Sequence, residues 1–241
     1  MGWNITDANR LEDAVFDLKL ELARKIGVKR GMTIVDVGCG QGGFTAALAK
    51  TVGRQGKVLA VDVSDEYLAE FTERLNKYGV KHAVTFIQTD AANLEIVIPV
   101  GTADMVVSYR LLEELKRCED MPKVIEEMAR VAKKNGKTCF AELNTETRNE
   151  AEENYVRLHR ESGDCFFKPT QIVKAMENAG LTDVQVQNLE TDIWLSPDLA
   201  KQDLSHAQVW YDAEVKKRLG KLIGKHGMKY PMFMIFSGVK K

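Results

Sequence analysis

Short apolar runs alternate along this chain with longer segments in which apolar residues recur every three or four positions. That alternation is the signature of a parallel α/β sheet, in which each strand is followed by a helix that packs back onto it. Leu11, Val15, Leu18, Leu22 and Ile26 fall on one face of a helix expected from about Ala8 to Ile26, with Gly27 and Gly31 breaking it. Met32 to Val37 reads as a buried strand that ends in the cluster Gly38-Cys39-Gly40-Gln41-Gly42-Gly43. Phe44, Ala47, Leu48 and Thr51 give the next helix its apolar face. Lys57 to Val63 is the second strand, and Ser64 is placed to cap the helix carrying Leu68, Phe71, Leu75 and Tyr78. Val84–Gln88, Ala103–Val107 and Thr138–Leu143 are the third, fourth and fifth strands. A helix from about Pro122 to the Asn135-Gly136 stop separates the last two.

Pro169 opens a further helix bearing Ile172, Ala175, Met176 and Ala179, which Gly180 ends. Asp183–Leu189 and Met232–Val239 read as the sixth and seventh strands. Residues 190–229 form a long insertion between them, with a helix expected from about Ala207 to Ile223. The expectation is one domain over residues 1–241, with residues 1–30 as a helical cover and residues 190–229 as a lid.

Composition narrows the class. Of 241 residues, 44% are hydrophobic and 29% charged, as in ordinary soluble globular proteins. A net charge of -1 and a pI near 6.5 argue against a dedicated nucleic-acid binder. No run approaches the roughly 18–20 apolar residues of a membrane span. The opening residues lack the basic and apolar regions of a signal peptide. The acylation pattern at Gly2 and Thr6 and the glycosylation triplet at Asn4 read as accidental. Cys39, Cys118, Cys139 and Cys165 include no CxxC pair, so no zinc site or redox pair is expected. Isolated cysteines fit a reducing compartment, hence the cytoplasm.

The glycine cluster carries the chemistry. Gly38, Gly40 and Gly43 satisfy GxGxxG, where a strand turns tightly into a helix and a ligand touches backbone at the helix N-terminus. That pattern alone also fits a nicotinamide-dependent dehydrogenase. Asp36, two residues earlier, would repel a pyrophosphate and attract a cationic amino group. Asp62 ends the second strand, where a carboxylate can accept both hydrogen bonds of a ribose diol. Asp90 ends the third, suited to an adenine amine.

Here the sequence resembles class I S-adenosylmethionine-dependent methyltransferases, the small-molecule ubiquinone/menaquinone type most of all. The match runs through Val35-Asp36-Val37-Gly38-Cys39-Gly40-Gln41-Gly42, Val61-Asp62-Val63, Thr89-Asp90-Ala91 and Ala103-Asp104-Met105-Val106-Val107-Ser108. The resemblance implies a Rossmann-like α/β fold: a seven-stranded, mostly parallel sheet, its last strand antiparallel and inserted beside the fifth, with helices on both faces. It implies S-adenosyl-L-methionine as cofactor. Asp36, Gly38, Cys39, Gly40, Gln41 and Gly42 would hold the methionine end, Asp62 with Val63 the ribose, and Asp90 with Ala91 the adenine. Ser108 with Tyr109 would form the back of the site. Asp104 reads as a strand-edge residue.

The acceptor side is less legible. Tyr109, Arg110, Glu142 and Asn144 follow the fourth and fifth strands and face the pocket mouth, so Tyr109 and Glu142 are the catalytic candidates. His159 and His206 lie in segments able to fold over the site. The expected partner is a small-molecule methyl acceptor, with neither nucleic acid, membrane nor metal. The basic run Lys216-Lys217-Arg218 to Lys225 reads as a solvated face of the cover. A protein or RNA methyltransferase, a dehydrogenase and a cofactor-binding module without catalysis stay open as alternatives.

Overall fold

A computed structural model describes residues 5, 7–203 and 213–241. The strands β1 (Thr33–Val37), β2 (Lys57–Asp62), β3 (Val84–Gln88), β4 (Ala103–Tyr109), β5 (Ala132–Leu143) and β6 (Leu181–Leu189) belong to one sheet. The short β7 (Trp194–Leu195) and β8 (Met228–Lys229) pair with each other, and β9 (Phe233–Lys240) returns to the main sheet. The seven strands stand in the order β3-β2-β1-β4-β5-β9-β6. Neighbours from β3 to β5 run parallel, and β9 lies antiparallel between β5 and β6, with Phe236 opposite Phe140.

Both faces of the sheet are covered, so its central strands are apolar on both sides. Ile34, Met105 and Val107 face α1 (Ala8–Lys25), α2 (Gly43–Val52) and α3 (Leu68–Lys77). Val35, Val37 and Val106 face the opposite layer, which holds α4 (Met121–Val131). The strand order reverses between β1 and β4, and the crevice at that switch point is where open α/β sheets take ligands.

Several expectations need correction. Residues 144–168, over which no helix is expected, carry α5 (Glu150–Glu161). Its charges hide a buried face of Ala151, Tyr155, Val156 and Leu158, and Asn149 caps it by accepting from the Glu152 amide at 3.0 Å. Next, α6 (Pro169–Asn178) packs in the α4 layer as expected. α4 stops at Val131 and β5 begins at Ala132, six residues before the expected Thr138, because the strand absorbs the Asn135-Gly136 irregularity instead of following it. Ser64 does not cap α3, which starts at Leu68; its hydroxyl accepts from the Glu66 amide.

The insertion carries α7 (Pro197–Asp203) and α8 (Ala213–His226). The earlier part of the expected helix, Ala207 to Asp212, lies outside the described residues, as do His206, Gly2, Asn4 and Thr6. Leu195, Leu199, Leu219 and Ile223 are buried in the same core as α1 and α2, while the basic side chains of α8 are exposed. Lys229 is buried with Glu152 of α5, Nζ to Oε1 at 2.6 Å, so α5 and the insertion form one cover.

The reading of the cysteines as isolated is overturned. Cys118 and Cys165, 47 residues apart, form a disulfide with Cα atoms 5.6 Å apart. Spacing along the chain misses a pair that only the fold brings together, and the compartment inference drawn from isolated cysteines loses its basis. Cys39 and Cys139 are free and buried. No described helix is long and apolar enough to cross a membrane.

Candidate active site

The loop between β1 and α2 is held by its neighbour strand. The Gly38 and Cys39 amides both donate to the Val61 carbonyl, at 2.8 and 2.9 Å. The Gly40 amide donates to Asp62 Oδ2 at 2.8 Å, so the carboxylate ending β2 clamps the loop ending β1. Two glycines serve different ends. At Gly40 (φ 45°) a Cβ would meet nothing within 4 Å, leaving an open cradle. At Gly42 (φ 76°) a Cβ would lie 2.6 Å from the Phe71 ring, so this glycine lets α3 close in on the loop.

Above the loop lies a cavity of about 220 Å³. Gly38, Gly40, Asp62, Val63, Asp90 and Ala91 form one wall, and the segment from Arg110 to Lys116 forms much of the other. Asp62 Oδ1 also accepts from the Ser64 amide at 3.2 Å, and Asp90 Oδ1 accepts from the Ala92 amide at 2.8 Å. Each carboxylate therefore braces its own turn while facing the cavity. Beneath the loop, Gln41 and Gly43 join Glu12, Phe16, Lys19 and Arg74 around a second cavity of about 340 Å³.

The other candidates stand apart from the first cavity. Asp36 is 1% exposed and accepts from Thr45 Oγ1 at 2.6 Å. Burial pushes its carboxyl up to about 7, against the pull of the Thr45 hydroxyl and the Lys19 ammonium. Cys39 is buried, and burial beside Asp36 pushes its thiol above the ordinary range, making it a filler rather than a nucleophile. Ser108 Oγ is buried without a hydrogen-bond partner. The Tyr109 ring stacks on Phe233 with centroids 5.2 Å apart, and burial pushes its phenol above the ordinary range. Asp104 accepts from the Thr33 amide at 2.8 Å and from Lys133 Nζ at 2.7 Å, fastening the strand ends away from the crevice. Glu142 accepts from the Leu112 amide at 3.2 Å, and its second oxygen is buried without a partner. Burial and the neighbouring Glu113 push its carboxyl well above the ordinary range. It lines a narrow cleft with Glu113 and Cys165 rather than the first cavity.

Arg110 is the residue whose importance the sequence concealed. It takes a left-handed backbone (φ 59°) immediately after β4, a conformation that a non-glycine residue keeps only when its surroundings enforce it. Its guanidinium donates to Glu113 Oε1 at 2.5 Å and Tyr155 at 3.0 Å, and reaches the His159 ring at 3.1 Å. His159 Nδ1 in turn meets Asp164 Oδ2 at 2.8 Å. Glu113, His159 and Asp164 are close enough to surround a metal ion, but the guanidinium already supplies the positive charge there. The Cys165 amide donates to the Glu113 carbonyl at 2.7 Å, so the disulfide ties this cluster to the outer wall of the cavity.

Comparison with known proteins gives a consistent picture. Residues 28–206 match the family model described as Methyltransferase domain. The ubiquinone/menaquinone biosynthesis C-methyltransferase of Idiomarina loihiensis is 30% identical over 117 residues, covering 48% of this chain and 45% of that protein. The matched part thus spans about half the length of such curated relatives. Among solved structures, a cyclopropane-fatty-acyl-phospholipid synthase-like protein from Lactobacillus casei aligns with a TM-score of 0.76 at 17% identity, covering 96% of this chain and 93% of that one. Phosphoethanolamine N-methyltransferase 2 of Haemonchus contortus, solved with phosphomonomethylethanolamine and S-adenosylhomocysteine, aligns with a TM-score of 0.62 at 21% identity, covering 93% and 52%.

Proposed function

We propose a specific reaction from a secure premise: the chain belongs to the methyltransferase-domain family and is a class I enzyme that uses S-adenosylmethionine. The reaction we infer is direct transfer of the methyl group to a small-molecule acceptor. The observation that carries this reading is the cavity at the carboxyl edge of β1–β3, with Gly40 open beneath it and Asp62 and Asp90 along one wall.

When bound, the cofactor supplies a methyl group on a sulfonium, already a good leaving group. This chain's residues then have to bind and orient. Asp62 accepts the ribose hydroxyls with the lone pairs left over from the Gly40 and Ser64 amides. Asp90 and Ala91 border the adenine, and Gly40 lets backbone approach the cofactor. Holding the acceptor in line can by itself supply roughly 7–11 kcal/mol of rate acceleration. Neither catalytic candidate is placed to act as a base in the first cavity: Tyr109 is packed against Phe233, and Glu142 lines a separate narrow cleft. The cover formed by α1, α5 and the insertion favours a small acceptor over a polymer, because the cavities it leaves beside the glycine loop, about 220 and 340 Å³, are of small-molecule size. The likeness to the quinone C-methyltransferase and the phosphoethanolamine N-methyltransferase supports the same acceptor class without choosing the accepting atom.

The compartment turns on the state of the Cys118–Cys165 pair in cells: trapping thiols in intact cells should find the pair reduced if the reaction takes place in the cytoplasm, and a fully oxidised pair would place the enzyme elsewhere. The cofactor reading is tested by thermal denaturation. S-adenosylhomocysteine at a hundredfold over its dissociation constant should stabilise the protein by about 2.7 kcal/mol, while NAD and NADP leave it unchanged. Stabilisation by NAD alone would overturn the reading.

A further inference from the structure

Lys19 lies on α1, outside every motif that marks the cofactor, yet its ammonium is packed against the glycine loop. A Cβ at Gly43 would collide with Lys19 Nζ. Gly43 has no positive φ to require glycine, so its missing side chain makes room for the ammonium. The other side of the ammonium is covered by the Tyr109 ring, 5.0 Å from its centroid. Among the described residues Lys19 has no hydrogen-bond or ion-pair partner, in contrast to the cations around it. Arg74 donates to the Gln41 carbonyl at 2.7 Å, Lys77 meets Glu12 at 2.8 Å, and Arg110 is held by Glu113.

This placement is unfavourable in the free protein. The ammonium stands at the N-terminus of α2, where the helix dipole repels cations and attracts anions. Arg74 from α3 and Arg110 from the end of β4 add repulsion, and only Asp36 from β1 opposes it; burial above all, with those two arginines, lowers the ammonium's pKa to about 8. Asp36 shares its own carboxylate with Thr45. An unpaired cation beside a helix N-terminus in a cavity of about 340 Å³ is a site for an anion.

We propose that Lys19 binds the carboxylate at the amino-acid end of the cofactor, reaching it from α1 across Gly43. The inference rests on the cofactor reading above. The adenosine end then occupies the cavity above the loop, and the carboxylate turns toward the cavity beneath it. α1 thereby becomes part of the cofactor site and not only a cover.

The test compares two probes on wild type and Lys19→Met by calorimetry. S-adenosylhomocysteine carries the carboxylate, and 5′-methylthioadenosine lacks the whole amino-acid end. Loss of a hydrogen bond to a charged group should weaken S-adenosylhomocysteine by about 10- to 150-fold while 5′-methylthioadenosine binds within twofold of wild type. The free variant should melt no lower than wild type, since Met fills the same space without an unpaired charge. Unchanged S-adenosylhomocysteine affinity overturns the proposal and frees the ammonium for an anionic acceptor. Equal weakening of both probes also overturns it, because it shows a disturbed loop. Should Lys19→Met fail to fold, Lys19→Gln is read by the same two-probe criterion. If wild type binds neither probe, it is the cofactor reading that fails.

Discussion

The wall of the cleft built by β1, β2 and β3 is made largely of backbone, whereas the wall after β4 is backed, through Arg110, by a network of buried charge. On the first side each carboxylate faces the cavity and braces a turn through backbone amides: Asp62 through Gly40 and Ser64, Asp90 through Ala92. On the second side Arg110, Glu113, Tyr155, His159 and Asp164 satisfy one another, and burial beside Glu113 pushes the Glu142 carboxyl up. A backbone cradle suits a ligand that the whole family shares. A side-chain network can be rebuilt residue by residue for a different acceptor, but it stakes folding stability on every member. Substitutions on the first wall should therefore act on cofactor affinity, and those on the second on stability.

Arg110→Ala should show the largest effect. It leaves Glu113, whose side chain is 4% exposed, as an uncompensated charge, and breaking a buried pair this way costs about 3–5 kcal/mol. Urea denaturation measures it. A loss under about 1 kcal/mol would break the comparison, because the second wall would then not rely on its ion pair.

The disulfide sharpens the same contrast. Closing a loop between Cys118 and Cys165 restricts the unfolded chain, so Cys118→Ser should lower stability by about 2–4 kcal/mol under oxidising conditions. Dithiothreitol should lower wild type equally and leave the variant unmoved. A reductant-insensitive wild type would mean that the bond contributes nothing in solution.

Asp62→Ala tests the first wall. Losing a charged hydrogen bond of about 1.5–3 kcal/mol should weaken S-adenosylhomocysteine roughly 10- to 150-fold. The cost to stability should stay below about 2 kcal/mol, since the lost contacts are two partly exposed backbone bonds. A folded variant with unchanged affinity would make Asp62 a loop clamp alone.

The same division explains what could be read from the sequence. Strand-ending aspartates and a glycine loop are local features, so Asp62, Asp90 and Gly40 could be found by spacing, and the cavity gathers them. The last strand was legible because Met232–Phe236 is an apolar run, while its antiparallel place beside β5 was implied only by the family resemblance. The second wall depends on contacts between distant segments. Arg110 meets His159 across 49 residues and Cys118 meets Cys165 across 47, and neither contact leaves a period or a motif in the chain. α5 escaped because its polar face outnumbers its apolar one. Lys19 escaped because one lysine on an amphipathic helix looks like any solvated residue until Gly43 is seen to make room for it.

Asp36 lies on β1 beneath the glycine loop, and its titration gives an effect spread thinly over several pH units, the smallest at any one step of pH. Like that of Glu142, its carboxyl is pushed up by burial, from an ordinary value near 3.8 to about 7. An acid whose pKa is raised on folding holds its proton in the native state while the unfolded chain has released it. Between about pH 4 and 7 the native state therefore binds one more proton, and stability falls as pH rises, at about 1.4 kcal/mol per pH unit in mid-window. The contribution is fully present below pH 4 and lost above pH 7. Glu142, also raised, shifts stability in the same direction, so the total slope assigns nothing by itself. Lys19, lowered to about 8, changes its contribution only at higher pH. Asp36→Asn isolates the effect, because an amide can still accept from Thr45 Oγ1 but does not titrate. Denaturation curves of the variant and wild type should diverge steadily from pH 4 to 7, with the variant losing less stability. Parallel curves across that window would mean that Asp36 is ionised in the folded protein, making the first wall as charged as the second and removing the contrast between them.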